Sequence, residues 1–354
     1  MALTFEHVTL GQRVLFGAGQ AAENLVAEVA RFNAKRVMVI ASGAGAQVAA
    51  DVSSGIQVAV NYADVAAHVP IEKAEKARAA AAGHQIDLLV SIGGGSTTGL
   101  AKAVAMTSGL PIVAVPTTYA GSEATNVWGL TEASRKTTGI DDWVLPATVI
   151  YDAALTLSLP VDLSVASGLN SMAHCIDSMW APRSDPINQA LAAEGIRALS
   201  HGLPRIVEEP QDLGGREQAL YGAYLSAVAF ASAGSGMHHK ICHVLGGTWN
   251  MPHAQTHATV LPYVLAFNAP QAPDAAVRIA DSFGSDDSVA GLNRLRTAVN
   301  APKALKNYGF AEKNIPEAVE LILPVIPASN PRKVTPANLT ELLTAAWAGT
   351  IPVI

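Results

Sequence analysis

The chain has 354 residues, half of them hydrophobic and only 15% charged, so it can bury a large core and is not a disordered chain. At ~150 residues per domain it has room for about two domains. The formal charge of −6 and the absence of a basic stripe exclude a nucleic-acid surface, and two cysteines cannot make a disulfide framework. No basic segment followed by an apolar core opens the sequence. The 220–237 stretch carries too many tyrosines, serines and glycines for lipid. The expectation is a soluble cytoplasmic protein with no membrane partner.

In chain order, short apolar runs at 36–41, 57–61, 86–91, 110–115 and 147–151 read as buried strands. Ala-rich helices such as 71–83 and 98–107 lie between them, which predicts a parallel sheet covered on both faces. After residue 158 the strand signal stops. Helical patterns follow at 162–180, 186–208, 212–232, 236–246, 254–268, 273–284, 288–300 and 314–324. The reading is an α/β domain over 1–158 and an all-helical domain over 159–354, with the active site in the cleft between them.

Gly93-Gly94-Gly95-Ser96 follows a predicted strand and opens a predicted helix. Glycines let a ligand approach the backbone, and a helix N-terminus offers free N–H groups to a phosphate, so this loop is the dinucleotide candidate. Thr117 and Thr118 follow the next strand and fall at the same carboxyl edge. An earlier Gly17-Ala-Gly19-Gln-Ala-Ala22 fits the dinucleotide fingerprint, but the following strand ends at Ala41-Ser42-Gly43 without an acidic residue. Gly17 and Gly19 therefore read mainly as turn glycines, with lining the adenosine side of the cleft as the alternative.

The helical half holds a histidine-rich stretch, with His238, His239, His243, His253 and His257. His239 and His243 sit one turn apart on a helix face. Gly246-Gly247 should end that helix, and Met251-Pro252 should start another with His253 in its first turn. Asn170 and His174, again one turn apart in an apolar helical segment, read as the other wall of a site. Cys175 and Cys242 adjoin cluster histidines and read as buried free thiols.

Together these pieces resemble the iron-containing alcohol dehydrogenase superfamily, from about Phe16 to His257. The resemblance rests on GGGS with Ala101-Lys102 downstream, on PTT before Gly121-Ser122-Glu123, and on the His239, His243, His253 spacing. Within the superfamily the sequence is most similar to the maleylacetate reductases. Gly99 stands where the alcohol dehydrogenases usually carry Asp, Trp128–Glu132 follows the reductase pattern, and Asn170 replaces the metal-binding aspartate.

That resemblance implies a Rossmann-like sheet joined to an all-α domain, in the dehydroquinate synthase-like, iron-type alcohol dehydrogenase architecture. It implies reduction of maleylacetate, a small dicarboxylate, to 3-oxoadipate in the breakdown of resorcinol- or hydroxyquinol-type aromatics, by a homodimer. Gly93, Gly94, Gly95, Ser96, Thr117, Thr118, Ser42 and Lys102 are the expected cofactor residues. NADH is expected, with NADPH accepted, because neutral Ser42 stands where an acidic residue would repel a 2′-phosphate. His243 is expected nearest the nicotinamide, with His253, His174 and His239 binding substrate or relaying protons.

Three neutral imidazoles and an amide should hold Fe²⁺ poorly, so no metal is expected. Asn170, His174, His239 and His253 would then be a degenerate metal site. Two alternatives share the fold. One is a metal-dependent alcohol or aldehyde dehydrogenase. The other is a dehydroquinate-synthase-like lyase, which needs substrate-binding lysines where only Lys240 is found.

Overall fold

The computed structural model describes residues 4–132 and 135–350. They divide into two compact units, one spanning Leu10–Leu159 and the other comprising 160–350 with residues 4–9. His7 fastens that N-terminal segment to the helices through a 2.8 Å contact with Asp185.

The first unit runs β1 (Arg13–Phe16), α1 (Ala21–Arg31), β2 (Val37–Ile40), α2 (Ala46–Val52), β3 (Val58–Tyr62), α3 (Ile71–Gly83) and β4 (Leu88–Gly93). It continues with α4 (Gly95–Ser108), β5 (Ile112–Pro116), β6 (Val127–Glu132), β7 (Arg135–Ile140) and β8 (Thr148–Tyr151). Six strands form a parallel sheet in the order β1-β8-β5-β4-β2-β3. The strands are apolar throughout because both faces are covered. Met38, Ile40 and Leu89 pack into a core with α3 and α4, while Val37, Val39, Leu88 and Val90 pack on the other side with α1 and α2. β6 and β7 form a separate antiparallel hairpin, which the apolar runs do not reveal because its residues are only half-buried on β6.

The second unit is helical: α5 (Val161–Ser178), α6 (Pro186–Glu208), α7 (Leu213–Ala233), α8 (Met237–Trp249), α9 (His253–Asn268), α10 (Pro273–Ser282), α11 (Ser288–Ala298), α12 (Ile315–Ile322) and α13 (Pro336–Ala348). α5 is its axle, buried from Ser164 to Ser178 and packed against α6, α7 and α9. One expectation fails here. α8 does not stop at Gly246-Gly247 but runs on to Trp249 and ends at Asn250, whose φ of 51° is left-handed. Two helical glycines cost about 1 kcal/mol each, less than the burial of Leu245 and the packing of Val244 and Trp249 against the core supply. None of the described helices is long and apolar enough to cross a membrane.

Candidate active site

The sheet order places Gly93, Pro116 and Ile40 at the carboxyl ends of three neighbouring strands, since Gly93 pairs with Pro116 and Ile40 with Ser91. From β2 the chain moves outward to β3, and from β4 it moves the opposite way to β5, so the strand order switches between β2 and β4. Such a switch point is where open α/β sheets bind ligands. Ser42, Gly93 to Ser96, Thr117 and Thr118 gather there and are all half-buried.

Gly93 has a φ of 148°, open to glycine alone, and a Cβ on Gly94 would stand 3.0 Å from Thr118 Cγ2. The two loops therefore touch through glycine, and no side chain caps α4, whose N-cap is Gly94. α1 is different. The Asp152 carboxylate accepts from the backbone N–H of Gly19 at 2.8 Å and of Ala21 at 3.0 Å. That first glycine turn is filled from within, while the start of α4 carries no side-chain cap.

Lys102 departs from the cofactor role the resemblance implies. It is 1% exposed, and its ammonium donates to the carbonyl oxygens of Ser122, Thr125 and Val127 at 2.6–2.8 Å. Three protons on three carbonyls leave none for a phosphate. Lys102 ties down the segment between β5 and β6. Burial pulls its ammonium down to about 7, with Glu123 opposing.

In the helical unit, α5 presents Asn170, His174 and Asp177 on one face, and α8 presents His238, His239, Cys242 and His243. His253 is the first residue of α9, and His257 follows one turn later. The His174 and His239 rings stack at 4.8 Å with an interplanar angle of 12°. His239 also lies 4.9 Å from His257 and 5.9 Å from His243, and His257 lies 4.4 Å from His253. All four expected histidines thus join one array, His243 half-buried and His253 at its exposed edge.

Asp177 organises this array and was missed in the sequence. Its carboxylate accepts from His239 Nδ1 at 2.8 Å and from the backbone N–H of Gly236 at 2.9 Å, closing the start of α8. Any side chain at Gly236 would run into it. Burial pushes the Asp177 carboxyl up to about 7, against the backbone N–H groups of His239, Gly236 and His238. Burial also holds His174 down to about 4 and His238 to about 3, and keeps His239 and His257 well below the ordinary imidazole range. These four rings are neutral at neutral pH.

Several donor atoms point at nothing in the protein. Asn170 Oδ1, His174 Nδ1 and His239 Nε2 are buried without a hydrogen-bond partner. Because the carboxylate of Asp177 takes the Nδ1 proton of His239, its Nε2 carries a lone pair, as in the carboxylate–histidine–metal arrangement. Beside them His238, Cys242 and His257 bring their ligand atoms within 4.8 Å of one another, all three buried.

Sequence profiles of two families match the chain: iron-containing alcohol dehydrogenase over residues 11–153, and Fe-containing alcohol dehydrogenase family, C-terminal, over 164–347. Maleylacetate reductase of Sphingobium indicum is 40% identical over 353 residues, 99% of each chain. The crystal structure of an iron-containing alcohol dehydrogenase from Corynebacterium glutamicum is 63% identical, with a TM-score of 0.97 over 99% of this chain and 98% of that one. That of maleylacetate reductase from a Rhizobium species is 38% identical, with a TM-score of 0.93 over 99% of both.

These findings overturn the expectation that no metal takes part. The family is iron-containing, and the buried donors fit a divalent cation. Asn170 removes a carboxylate that would touch the metal, but a site can keep its carboxylate without that contact. Here the carboxylate stands one bond further out, as Asp177 behind His239. With both halves matched by its profiles and the whole length aligned to named relatives, the chain belongs to the iron-containing alcohol dehydrogenase family of oxidoreductases.

Proposed function

We propose that this chain reduces the carbon–carbon double bond of maleylacetate with NADH, NADPH also being accepted, to give 3-oxoadipate in aromatic-compound catabolism. The observation that carries the reading is identity of 40% to maleylacetate reductases along the whole chain, together with the His174, His239, His243, His253 array beside Asn170. The cofactor diphosphate sits on the uncapped start of α4, over Gly93, Gly94, Gly95 and Ser96, with Thr117, Thr118 and Ser42 beside it. The active species is a cytoplasmic homodimer.

Hydride adds to the carbon β to the ketone, and the displaced electron pair moves onto the ketone oxygen as an enolate. A proton then returns to the α carbon, so one NADH and one proton are consumed per product. His243 supplies the hydrogen bond to the enolate and the proton, while His253 and His174 bind the substrate's carboxylates. His174 does this as a neutral donor rather than as a cation, since burial holds it down to about 4. His239 cannot share that task, because its proton belongs to Asp177.

A divalent ion would be held by Asn170, His174 and His239, and when bound it supplies Lewis acidity to a substrate oxygen. The test follows NADH absorbance with freshly prepared maleylacetate, and in parallel NAD⁺ reduction with short-chain alcohols. Both are repeated after chelation and after adding Fe²⁺ or Zn²⁺ back. Turnover of alcohols with none of maleylacetate would replace this reading by the alcohol dehydrogenase one.

A further inference from the structure

We propose that His238, Cys242 and His257 form a metal site of their own, suited to Zn²⁺ or another thiolate-seeking divalent ion and separate from the Asn170, His174, His239 donors. His238 and Cys242 are one turn apart on α8, and His257 faces them from the second turn of α9. All three are at most 1% exposed. His238 Nε2 lies 3.0 Å from His257 Nδ1 and 3.6 Å from Cys242 Sγ.

In a tetrahedral zinc site, bonds of about 2.0–2.1 Å to nitrogen and 2.3 Å to sulfur put neighbouring ligands roughly 3.3 Å apart for N and N, and 3.6 Å for N and S. The sulfur edge already has that length. The nitrogen edge needs to open by about 0.3 Å. The rings meet at 55°, so their nitrogens converge instead of stacking.

Without an ion the group satisfies itself poorly. One proton lies between the two rings, the thiol makes only a long contact, and His238 Nδ1 and His257 Nε2 are buried with no partner. Binding changes this in a balanced way. Cys242 gives up its proton to solvent and binds as thiolate. His238 moves its proton from Nε2 to Nδ1, and both imidazoles stay neutral. One Zn²⁺ enters and one H⁺ leaves.

The dication and thiolate leave one positive charge, and a carboxylate is at hand to balance it. Asp177 accepts from the His238 backbone N–H at 3.4 Å; burial and then the Asp177 charge push the Cys242 thiol well up, so the thiolate forms only with the dication bound. Thiolate and imidazole select zinc over harder ions, whereas an amide oxygen with two imidazoles is the harder set. Three protein ligands leave the fourth position to water.

The decisive measurement is zinc-edge X-ray absorption on the wild-type protein loaded with Zn²⁺, which avoids any variant that fails to fold. A shell containing one sulfur among nitrogens is expected. Loading with Co²⁺ should give a thiolate-to-cobalt charge-transfer band that disappears in Cys242→Ser and persists in Asn170→Ala. A shell of nitrogen and oxygen alone, no zinc bound at excess, or a charge-transfer band that survives Cys242→Ser would each overturn the assignment.

Discussion

Asp177 and His239 are joined by a 2.8 Å bond from the imidazole Nδ1 to the carboxylate, with neither side chain more than 2% exposed. The pair fixes which ring nitrogen is the lone-pair donor. Asp177→Asn keeps the shape but leaves one acceptor oxygen and no charge, so it holds the His239 Nδ1 proton less firmly. The expected result is a 10- to 100-fold weaker affinity for divalent metal, the usual effect of removing such a supporting carboxylate. Chelator-competition titration of wild type and variant measures it, and equal affinities would show that Asp177 only caps the helix.

Gly94 allows the loops after β4 and β5 to touch, and a Cβ there would stand 3.0 Å from Thr118 Cγ2. Gly94→Val should push the loops apart and raise the Kd for NADH at least tenfold, ~1.4 kcal/mol. Fluorescence titration reads this directly. A folded variant with wild-type Kd would place the diphosphate elsewhere.

His243 is the half-buried member of an array whose other α8 histidines are fully buried. His243→Ala should lower kcat by about 10²-fold, the common range for a general acid, with the NADH Kd unchanged. A rise in KM at constant kcat would make it a binding residue instead.

The buried imidazoles also set the response to acid. Burial lowers His174 to about 4 and His238 to about 3 in the folded chain, against ~6.5 when unfolded. Below about 6.5 the unfolded chain takes up protons at both rings and the folded chain does not. Stability from these groups is therefore complete above about 6.5 and falls as pH drops toward 4, by about 1.4 kcal/mol per pH unit for each ring. Urea unfolding of chelator-treated protein across this range should show the fall, and His238→Gln should lessen its slope by one ring's share, about 1.4 kcal/mol per pH unit. An identical slope in the variant would assign the acid sensitivity to other groups.

Much of this was legible because the signals were strong and local. Strands apolar on both faces, such as 37–40 and 88–93, read plainly, as did helices with a clear period. α13 was not read, although Thr335 caps it and Pro336 stands at its first position; the signal was there in the dipeptide. The β6–β7 hairpin and the true end of α8 depend on half-buried contacts and core packing that no short window contains. In the site, spacing on single helices found Asn170, His174, His239 and His243. Asp177 leaves no mark in the pattern because its partners, the backbone N–H groups at the start of α8 and the His239 ring, lie 59–62 residues away. His257 has no role that spacing on one helix reveals, since its hydrogen-bond partner, His238, lies on the neighbouring helix.

Asp152 gives the first glycine turn a permanent counter-ion. Gly19 and Ala21 hold it on one side and the Ala154 N–H, at 2.9 Å, on the other. An incoming diphosphate at that seat would meet a carboxylate and be repelled, which would favour the uncapped start of α4 instead. Asp152→Asn would remove the charge while keeping one of the two acceptor oxygens. A second, weaker phase in the cofactor titration of that variant would then reveal the seat that the carboxylate keeps closed.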